Sequence, residues 1–473
     1  MKHSATPTRY RHRVLRLRAV VVMLAAMATH ARAEGPVVGS RTPRSIGRAG
    51  VGTASDDGGG ALLANPAAIA RRDAARAQIA VSFLDDEMYW LHSSSAPVAR
   101  DQSSSRLLPM LAIEGAIGDW IVGAGIMTTA RSERLLRRPG RIPASELGNA
   151  FEYRYAGLGG AFRRDTLAAG AAHRIGETVA VGLSVAGSRV ALSEVRRLWA
   201  GDANRTNPTT LVKEQPGDPA QDVEVGMTAI AYTPTITAGV LVAPEDSRIE
   251  LAASAAWNGP ARAHGDVSGQ GTSPIDLELR STDARIEIEQ PVTVRTGVRW
   301  LGERWIGEVG GDLWWFPKRA ASPLWRLTDA QIVDMTTLGA PRMATLSTLP
   351  SRLSSRTHGA LRGAVDVELI SGFLWATAGY AFTTAGTSGA RLSPTFGDLG
   401  GHTLALGLEA TAGGFTATLG VARTWSIKQP EPVSRWRLDN PFGTGDAEVP
   451  DGTYDGSTDV IGLSIDAELW APD

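Results

Sequence analysis

Residues 39–72 read GSRTPRSIGRAGVGTASDDGGGALLANPAAIARR, and the rest of the chain is organised around this stretch. Seven of its 34 residues are glycine, and it has too little apolar periodicity to bury a core of its own. A segment of this composition needs a larger body to order it. Its position, behind an apolar leader and ahead of a long series of alternating strands, predicts a plug inside a membrane β-barrel.

The first 33 residues have the features of a secretory signal peptide. They carry seven basic residues and no acidic one, then an apolar run from Ala19 to Ala28, then Ala31-Arg32-Ala33 as an A-x-A cleavage site. A membrane-spanning helix needs roughly 20 apolar residues, so the run is too short to remain as an anchor. We therefore expect residues 1–33 to be removed on export.

Removing the leader leaves 41 Lys and Arg against 49 Asp and Glu, a net charge near −8. No basic excess remains to attract nucleic acid. Cysteine is absent, so disulfides do not stabilise the exported chain. The 53 glycines and 13 tryptophans fit half-apolar strands better than a helical bundle. We expect a hatch over residues 34–77 and one transmembrane β-barrel over residues 78–473.

Apolar and polar residues alternate with period two in window after window. Val179, Val181, Leu183 and Val185 share one face of their window. One face of the 285–300 window carries Ile286, Ile288, Val292, Val294, Val298 and Trp300. In a soluble sandwich the apolar face packs inward, whereas in an outer-membrane barrel it meets lipid. Alternation alone does not choose between them.

Connection lengths do choose. Fourteen strand windows are predicted: 78–91, 106–117, 119–130, 151–174, 177–190, 224–243, 247–257, 284–300, 304–316, 356–370, 372–384, 402–412, 414–427 and 457–470. The connections between them alternate between one to four residues and much longer stretches. Short periplasmic turns against long extracellular loops, with an even strand number, are typical of a transmembrane barrel.

Two further signals agree with an antiparallel barrel of about 14 strands. Eight tryptophans lie near window ends, where an interfacial girdle is expected: Trp90, Trp120, Trp257, Trp300, Trp305, Trp315, Trp425 and Trp470. The chain also finishes on a strand, Val460 to Trp470, which can close against the first. Closure matters because every backbone group at membrane depth must be paired.

Several segments resemble the FadL/TodX family of outer-membrane transporters for long-chain fatty acids and other hydrophobic compounds. At the N-terminal end these are the leader, the Gly-rich segment with Asp56-Asp57, and Asn65-Pro66-Ala67. Further matches are Pro291 to Trp315 with Gly297 and Asp312, Gly400-Gly401-His402 before Leu404–Leu408, and Val449-Pro-Asp-Gly-Thr-Tyr454. The resemblance spans effectively the whole mature chain, although the long loops match only in placement.

The resemblance implies a monomeric barrel whose lumen is blocked by an N-terminal hatch. Hydrophobic substrate would be captured among extracellular loops, reach an internal pocket, and leave through a lateral opening in the wall when the hatch moves. One departure is the C-terminus, where Ala471-Pro472-Asp473 follow Trp470 in place of a final aromatic assembly signal. Trp470 also shares its strand face with Asp466 and Glu468, which is a second departure from the final aromatic signal for the barrel assembly machinery.

Asn65, Pro66 and Ala67 are the predicted hatch or gating residues. Proline fixes φ and holds the preceding residue extended, while the Asn65 amide can satisfy backbone groups of the hatch. The alternative is that Asn-Pro only starts a turn before a short helix over Ala67–Arg72.

Three residues are candidate substrate contacts. Arg295 and Arg299 lie on the polar face of their window, where a guanidinium can pair with a substrate carboxylate. The favoured alternative is a lumenal ion-pair ladder with Glu308, Asp312, Asp366 and Glu368 or with the hatch. Trp325 lies in the 317–355 loop, where Thr328 to Gln331 predicts a short helix that collects apolar ligands or covers the barrel mouth.

Gly157, Gly159 and Gly160 cluster in the long fourth window and predict a bend in the wall, for lateral release or without transport meaning. The Gly47–Gly52 and Gly58–Gly60 segments lack the strand and Lys-Ser/Thr of a phosphate loop. No metal-binding histidine pair and no G-x-S-x-G sequence occurs, so we expect no enzyme, metal or cofactor.

The sequence thus favours passive uptake of hydrophobic molecules, fatty acids or hydrocarbons, by a monomer in the bacterial outer membrane. Its expected surroundings are outer-membrane lipid and lipopolysaccharide. A general diffusion porin and a surface adhesion or structural barrel remain as alternatives. About 40 residues before the first strand argue against the porin, and loops without repeats argue mildly against the adhesin.

Overall fold

The fold is that of a computed structural model. It describes residues 38–39, 42–56, 58–71, 74–91, 99–136, 153–202, 221–271, 275–316, 322–335, 341–428, 439–443 and 452–470. The predicted signal peptide and the Ala471-Pro472-Asp473 extension lie outside these residues. Within them, no helix is both long and apolar enough to cross a bilayer.

The described residues form 23 strands and a few short helices. The strands are β1 (Val38–Gly39), β2 (Ala75–Leu91), β3 (Ala99–Arg100), β4 (Arg106–Ile117), β5 (Trp120–Leu135), β6 (Gly159–Ile175), β7 (Val179–Trp199), β8 (Asp222–Val242), β9 (Ile249–Asn258), β10 (Ala261–Gly271), β11 (Ile275–Leu279), β12 (Asp283–Ile288), β13 (Val292–Leu301), β14 (Trp305–Trp315), β15 (Leu324–Leu327), β16 (Ala330–Asp334), β17 (Arg342–Thr345), β18 (Thr348–Pro350), β19 (His358–Ile370), β20 (Leu374–Thr383), β21 (Gly401–Ala412), β22 (Phe415–Ser426) and β23 (Thr453–Trp470). The helices are α1 (Pro43–Gly47), α2 (Ala61–Ala64), α3 (Tyr153–Ala156) and the 3-10 helices Pro66–Arg71 and Gly389–Arg391.

Fourteen of the described strands close an antiparallel barrel, as the sequence predicts. Their order around the wall is β2, β4, β5, β6, β7, β8, β9, β13, β14, β19, β20, β21, β22 and β23. The last strand closes on the first along its whole length, from Ala75 opposite Trp470 to Leu91 opposite Thr453. No edge is therefore left open at this seam.

The direction of the alternation settles which kind of β-protein this is. Ile79, Leu406 and Ile465 point away from the lumen and are 65%, 62% and 59% exposed. Their strand neighbours Ser82 and Ser464 are buried on the lumenal side. Since the apolar face is the outer one, the wall is built to contact lipid, and the predicted transmembrane sense is confirmed.

The connections alternate in length as predicted. The short turns join β4–β5, β6–β7, β8–β9, β13–β14, β19–β20 and β21–β22. Four of them place a glycine in the left-handed region, for example Gly118 at φ 60° and Gly413 at φ 58°, which favours glycine in a tight turn. The opposite end carries the long connections, a wall extension made by β10, β12, β15 and β18, and a separate sheet of β11, β16 and β17.

The 284–300 window is not one strand, and the face predicted for it is wrong in its first half. The ladder breaks over residues 289–291 because Pro291 has no N–H to donate. The alternation changes sides across this break. Ile286 and Ile288 are therefore buried in the interior, whereas Val294 faces outward.

Two local predictions are also wrong. The 151–174 window begins as α3 and becomes a strand only at Gly159. The helix expected after Thr328 is a turn between β15 and β16, with Asp329 at φ 50°. The β-branched pair Ile332-Val333 joins a ladder with β11, and this pairing overrides the local capping pattern.

Five of the eight tryptophans face outward near the two rims. Trp120 and Trp305 lie at the short-turn end, and Trp257, Trp315 and Trp425 lie at the long-loop end. Trp90 instead packs inside against Tyr153, with ring centroids 5.7 Å apart. The outward five delimit the band that we expect to contact the bilayer.

Candidate functional site

The hatch is defined here as residues 42–71, and it lies inside the lumen. Thr42 caps α1 by accepting a hydrogen bond from Ser45 N at 3.2 Å. Helix α1 contacts β21, β22 and β23, whereas the 3-10 helix Pro66–Arg71 contacts β6, β7 and β8 on the other side of the barrel. The hatch thus reaches across the lumen between two groups of wall strands.

Asn65 joins the hatch to the wall with a single side chain. It is fully buried, and its Nδ2 donates to Thr53 O at 2.8 Å and to Val240 O in β8 at 3.3 Å. Its Oδ1 accepts from Ala67 N at 3.2 Å and so begins the helical turn at Pro66. The Asn-Pro-Ala segment therefore both shapes the hatch and attaches it to the wall.

Glycines in the strands form the seat of the hatch, and the sequence analysis did not identify them. At each of them a Cβ would collide with a backbone or side-chain atom of the hatch, because the hatch lies directly against the strand. The pairs are Gly182 with Pro66 and Ala67, Gly239 with Asn65, Gly379 with Arg48, Gly420 with Pro43, and Gly462 with Ile46. The feature of the sequence that could have identified them is their position in the middle of a strand, on the face that points into the lumen.

Two hatch arginines form buried ion pairs with the wall. Arg48 Nη2 lies 2.9 Å from Glu308 Oε2 and 3.5 Å from Asp366 Oδ2. Arg71 binds both oxygens of Glu250, at 2.9 and 2.7 Å. These contacts hold the hatch at two points. Neither arginine was singled out from the sequence, because nothing local in the sequence indicates its distant partner.

The three candidate substrate residues lie in three different environments. Arg299 donates to Glu250 at 3.0 Å and so belongs to the ion-pair group of the hatch. Arg295 donates to Leu63 O in the hatch at 3.2 Å and lines a cavity. Trp325 is fully buried away from that cavity, and its indole donates to Glu194 Oε2 at 3.1 Å.

The three candidate bend glycines lie where α3 enters β6. Gly157 has φ 153° and lies beside Thr395, and a Cβ at Gly160 would meet the ring of Phe396. Gly159 pairs with both Leu135 and Val195 and keeps the ladder continuous. The cluster thus accommodates the inward-folded 393–396 segment at the long-loop end.

A cavity of about 250 Å³ lies between the hatch and the long-loop end. The hatch contributes Thr53, Leu63 and Ala64 to its lining. The wall contributes apolar and polar groups together, which is the usual composition of a small-molecule pocket. Its wall residues include Met127, Thr129, Ala130, Phe162, Arg164, Thr235, Asn258, Gln290, Arg295, Trp314, Phe316 and His358.

The wall has a gap beside this cavity. Pairing of β4 with β5 ends at Met110 and Met127 although both strands continue, and it resumes only where Gln102 N donates to Leu135 O at 2.7 Å. Pro109 lies on the rim and has no N–H to donate. Among the described residues, only the two-residue β1 pairs with β5 in this stretch, at Ala130 and Arg131.

A bulge shapes the same part of β5. Thr128 pairs with Asp165 and Ala130 with Arg164, so that Thr129 is an extra residue relative to β6. A bulge bends its strand and increases the local twist. Both Thr129 and Ala130 line the cavity, so the cavity reaches the wall where the ladder is interrupted.

A buried ionic cluster, called the cover here, lies at the long-loop end. Arg154 and Tyr155 of α3 both bind Asp222, at 2.7 Å each. Burial, followed by the charge of Asp222, raises the pKa of Tyr155 well above its usual value. Arg352 binds Tyr155 O at 2.6 Å and Asp439 at 3.0 Å. The cover therefore depends on contacts between segments far apart in sequence.

Solved structures of other proteins have this fold. A FadL homologue of Pseudomonas aeruginosa superposes with a TM-score of 0.68 at 14% identity, covering 92% of this chain and 100% of its own. The Pseudomonas putida toluene transporter TodX gives 0.61 at 13%, covering 91% and 99%, and the Ralstonia pickettii toluene transporter TbuX gives 0.58 at 13%, covering 90% and 98%. No family model and no curated protein sequence matches the chain.

Proposed function

We propose that this barrel, which has the fold of the FadL homologue and the toluene transporters, takes up hydrophobic molecules passively across the bacterial outer membrane. The observation that carries the proposal is one continuous arrangement of hatch, cavity and gap. The hatch forms one side of a mixed apolar and polar cavity, and the cavity reaches the wall where β4 and β5 are unpaired. Substrate enters from the long-loop end and leaves sideways through this gap.

The lipid-facing surface supports a lateral route. Leu107 on β4 and Ile126 on β5 flank the gap and are exposed to the membrane side. A hydrophobic molecule leaving between them enters a region of low polarity without crossing water. An axial route would have to displace the hatch, whose ion pairs Arg48–Glu308 and Arg71–Glu250 are buried.

In this proposal the candidate residues have different roles. Asn65, Pro66 and Ala67 hold the hatch and set how easily it shifts. Arg295 contacts the substrate in the cavity, Arg299 keeps Glu250 positioned for the hatch, and Trp325 supports the cover. Gly157, Gly159 and Gly160 make room for the 393–396 segment inside the barrel and have no part in release. The bend in the wall that serves release is instead the bulge at Thr129.

The first test is mass spectrometry of an organic extract of the purified full-length barrel, paired with planar-bilayer conductance. We expect a co-purified fatty acid or hydrocarbon and no steady conductance. Cells that carry the barrel should also accumulate an added hydrophobic compound faster than cells without it.

An empty barrel with steady ion conductance would overturn the proposal in favour of a diffusion porin. An empty, closed barrel that does not accelerate uptake would overturn it in favour of a surface structural role. A matched variant lacking residues 39–70 should conduct. If it does not, the hatch is not what closes the lumen.

A further inference from the structure

Three arginines lie on the outer face of neighbouring wall strands and are called the arginine row here. Arg131 of β5 and Arg163 of β6 are directly opposite each other in the ladder, and Arg189 of β7 lies diagonally from Arg163. Their strand neighbours are buried on the lumenal side: Ser132, Phe162 and Val190. Opposite residues have Cβ atoms about 5 Å apart and diagonal ones about 7–8 Å, so one ligand group can contact more than one of these side chains.

The two carboxylates beside the row are already paired. Arg163 Nε lies 2.8 Å from Asp165 Oδ2, on the same strand. Glu133 Oε2 lies 2.8 Å from Arg106 Nε of β4. These two pairs are electrically neutral and leave the remaining arginines of the row to be accounted for.

The other two arginines carry an excess of two positive charges. Arg131 Nη2 is 3.9 Å from the Glu133 carboxylate, and its Nη1 donates instead to Leu107 O of β4 at 3.3 Å. Arg189 has no carboxylate within 4.0 Å in the part of the chain that the structure describes. Like charges on adjacent strands repel, so the row is stabilised by an anion that neutralises it.

The height of the row on the wall places it at the membrane boundary. Arg189 lies ten residues beyond the first residue of β7, and Trp315 and Trp425 of the long-loop rim lie ten residues beyond the first residues of β14 and β22. At about 3.3 Å per residue and a tilt of about 40°, ten residues rise roughly 25 Å, which is the height of the apolar band. Since the short turns of such barrels are periplasmic, the row lies at the headgroup level of the outer leaflet.

The surface next to the row suits a ligand that also has hydrocarbon chains. On the short-turn side, Leu167, Leu183 and Val185 face outward and are more than half exposed. Tyr232 of β8 is opposite Arg189 and 78% exposed, so its hydroxyl is free to contact a polar headgroup. A lipid with an anionic headgroup matches both parts of this surface, whereas a free anion matches only one.

The positive excess is confined to this side of the barrel. At the same height on the other side of β4, the exposed Asp85 of β2 is opposite Asp459 of β23. Asp459 pairs with Arg423 at 3.6 Å. A bound anion is therefore expected on β5, β6 and β7 and not around the whole rim.

We propose that the arginine row binds a phosphate group of a phosphorylated glycolipid in the outer leaflet, with the acyl chains of the lipid on the apolar wall below it. Guanidinium groups form bidentate, charge-assisted hydrogen bonds with phosphate oxygens. A phosphate monoester carries about two negative charges at neutral pH, which equals the excess of the row. The site is on the outside of the wall and does not depend on what the cavity carries.

The test compares diphosphoryl lipid A with the same lipid after both phosphates have been removed. Binding of each to the delipidated, detergent-solubilised full-length barrel is measured by native mass spectrometry without divalent cations. We expect the phosphorylated lipid to bind at least tenfold more tightly. The double variant Arg131→Gln, Arg189→Gln should lower its binding at least tenfold and change binding of the dephosphorylated lipid less than twofold.

Two further variants make the test specific. Arg423→Gln removes an exposed arginine at a similar height on the acidic side, and it should leave binding unchanged. Asp165→Asn keeps the shape but releases Arg163 from its ion pair, so it should tighten binding of the phosphorylated lipid at least threefold. If the double variant fails to fold, judged by heat-modifiable migration, Asp165→Asn decides.

Three outcomes would overturn the proposal. The first is equal binding of the two lipids, and the second is wild-type binding by the double variant or by Asp165→Asn. The third is displacement of the lipid by an equal concentration of inorganic phosphate, which would mean a site for a free anion and not for a lipid. None of these outcomes affects the proposed uptake of hydrophobic molecules, which is measured separately.

Discussion

Arg48 of the hatch and Glu308 of β14 are 260 residues apart in sequence and 2.9 Å apart in the barrel. Both side chains are buried, and Glu308 Oε1 also accepts from Ala54 N at 3.0 Å. A single wall carboxylate thus binds a charge and a backbone group of the hatch. Polar side chains of the lumen wall therefore help to hold residues 42–56 in place.

Glu308→Gln tests this contact. It leaves the Arg48 charge buried with only Asp366, at 3.5 Å, to compensate it. Removing one partner of a buried pair costs roughly 3–5 kcal/mol, and Asp366 should keep the loss near the lower end. We expect bursts of conductance in planar bilayers. Glu287→Gln, in an exposed pair with Arg262, is the control and should remain closed.

Asn65→Ala tests the Asn-Pro-Ala segment. It removes the bonds to Thr53 O and Val240 O and the one from Ala67 N. At about 1 kcal/mol for each hydrogen bond, the substitution should destabilise the hatch by roughly 3 kcal/mol, of which the bond to Val240, about 1 kcal/mol, is attachment to the wall. Substrate uptake should fall severalfold while heat-modifiable migration shows an assembled barrel. Wild-type uptake would leave the motif without a gating role.

Gly239→Ala tests the glycine seat. The new Cβ would overlap Asn65 Oδ1, so the hatch has to shift away from β8. We expect an assembled barrel with raised ion conductance. Gly187→Ala, on β7 where a Cβ would meet nothing within 4 Å, is the matched control. Equal conductance in the two variants would show that the hatch does not depend on this close approach.

Deletion of Thr129 tests lateral release. It removes the extra residue of the bulge. Thr128 and Ala130 then become consecutive and pair regularly with Asp165 and Arg164 of β6. The straightened β5 should then pair further along β4 and narrow the gap. Uptake into cells should fall at least tenfold, with ligand binding to the purified barrel retained. Unchanged uptake would argue for another exit.

Titration of Tyr155 tests the cover. Its pKa in the folded barrel is raised, so the neutral phenol is favoured by folding. The contribution of Tyr155 to the free energy of unfolding is intact below the ordinary tyrosine pKa near 10. It is lost as the pH rises above that value. The absorbance difference at 295 nm between wild type and Tyr155→Phe should appear only well above pH 10. A difference centred at pH 10 would mean that the cover is open to solvent.

Much of the barrel was predictable from local pattern. Each of the fourteen windows overlaps one strand of the wall, because period-two alternation and short glycine turns are local properties. Errors arose at a local break in the ladder and where a distant contact overrode the pattern. Pro291 changed the inward face of Ile286 and Ile288, and pairing with β11 replaced the helix predicted after Thr328.

The site was predictable only in part. Asn65 and the ion-pair role of Arg299 follow from motif and strand face. The hydrogen bonds of Arg164 in the cavity lining were not predicted, because its partners lie on β7, β8 and β9. Such a neighbourhood combines residues up to 126 positions apart, and no local pattern encodes it.

The sequence by itself determined the strand number, the alternation of short and long connections, and the placement of a glycine-rich segment ahead of the wall. These follow from backbone hydrogen bonding and side-chain period, which act over a few residues. Only the tertiary structure decided where β4 and β5 part, which wall glycines meet the hatch, and which wall carboxylates pair with its arginines. Those properties depend on closure of the barrel, since it brings distant strands around one lumen and gives every lumenal charge its neighbours.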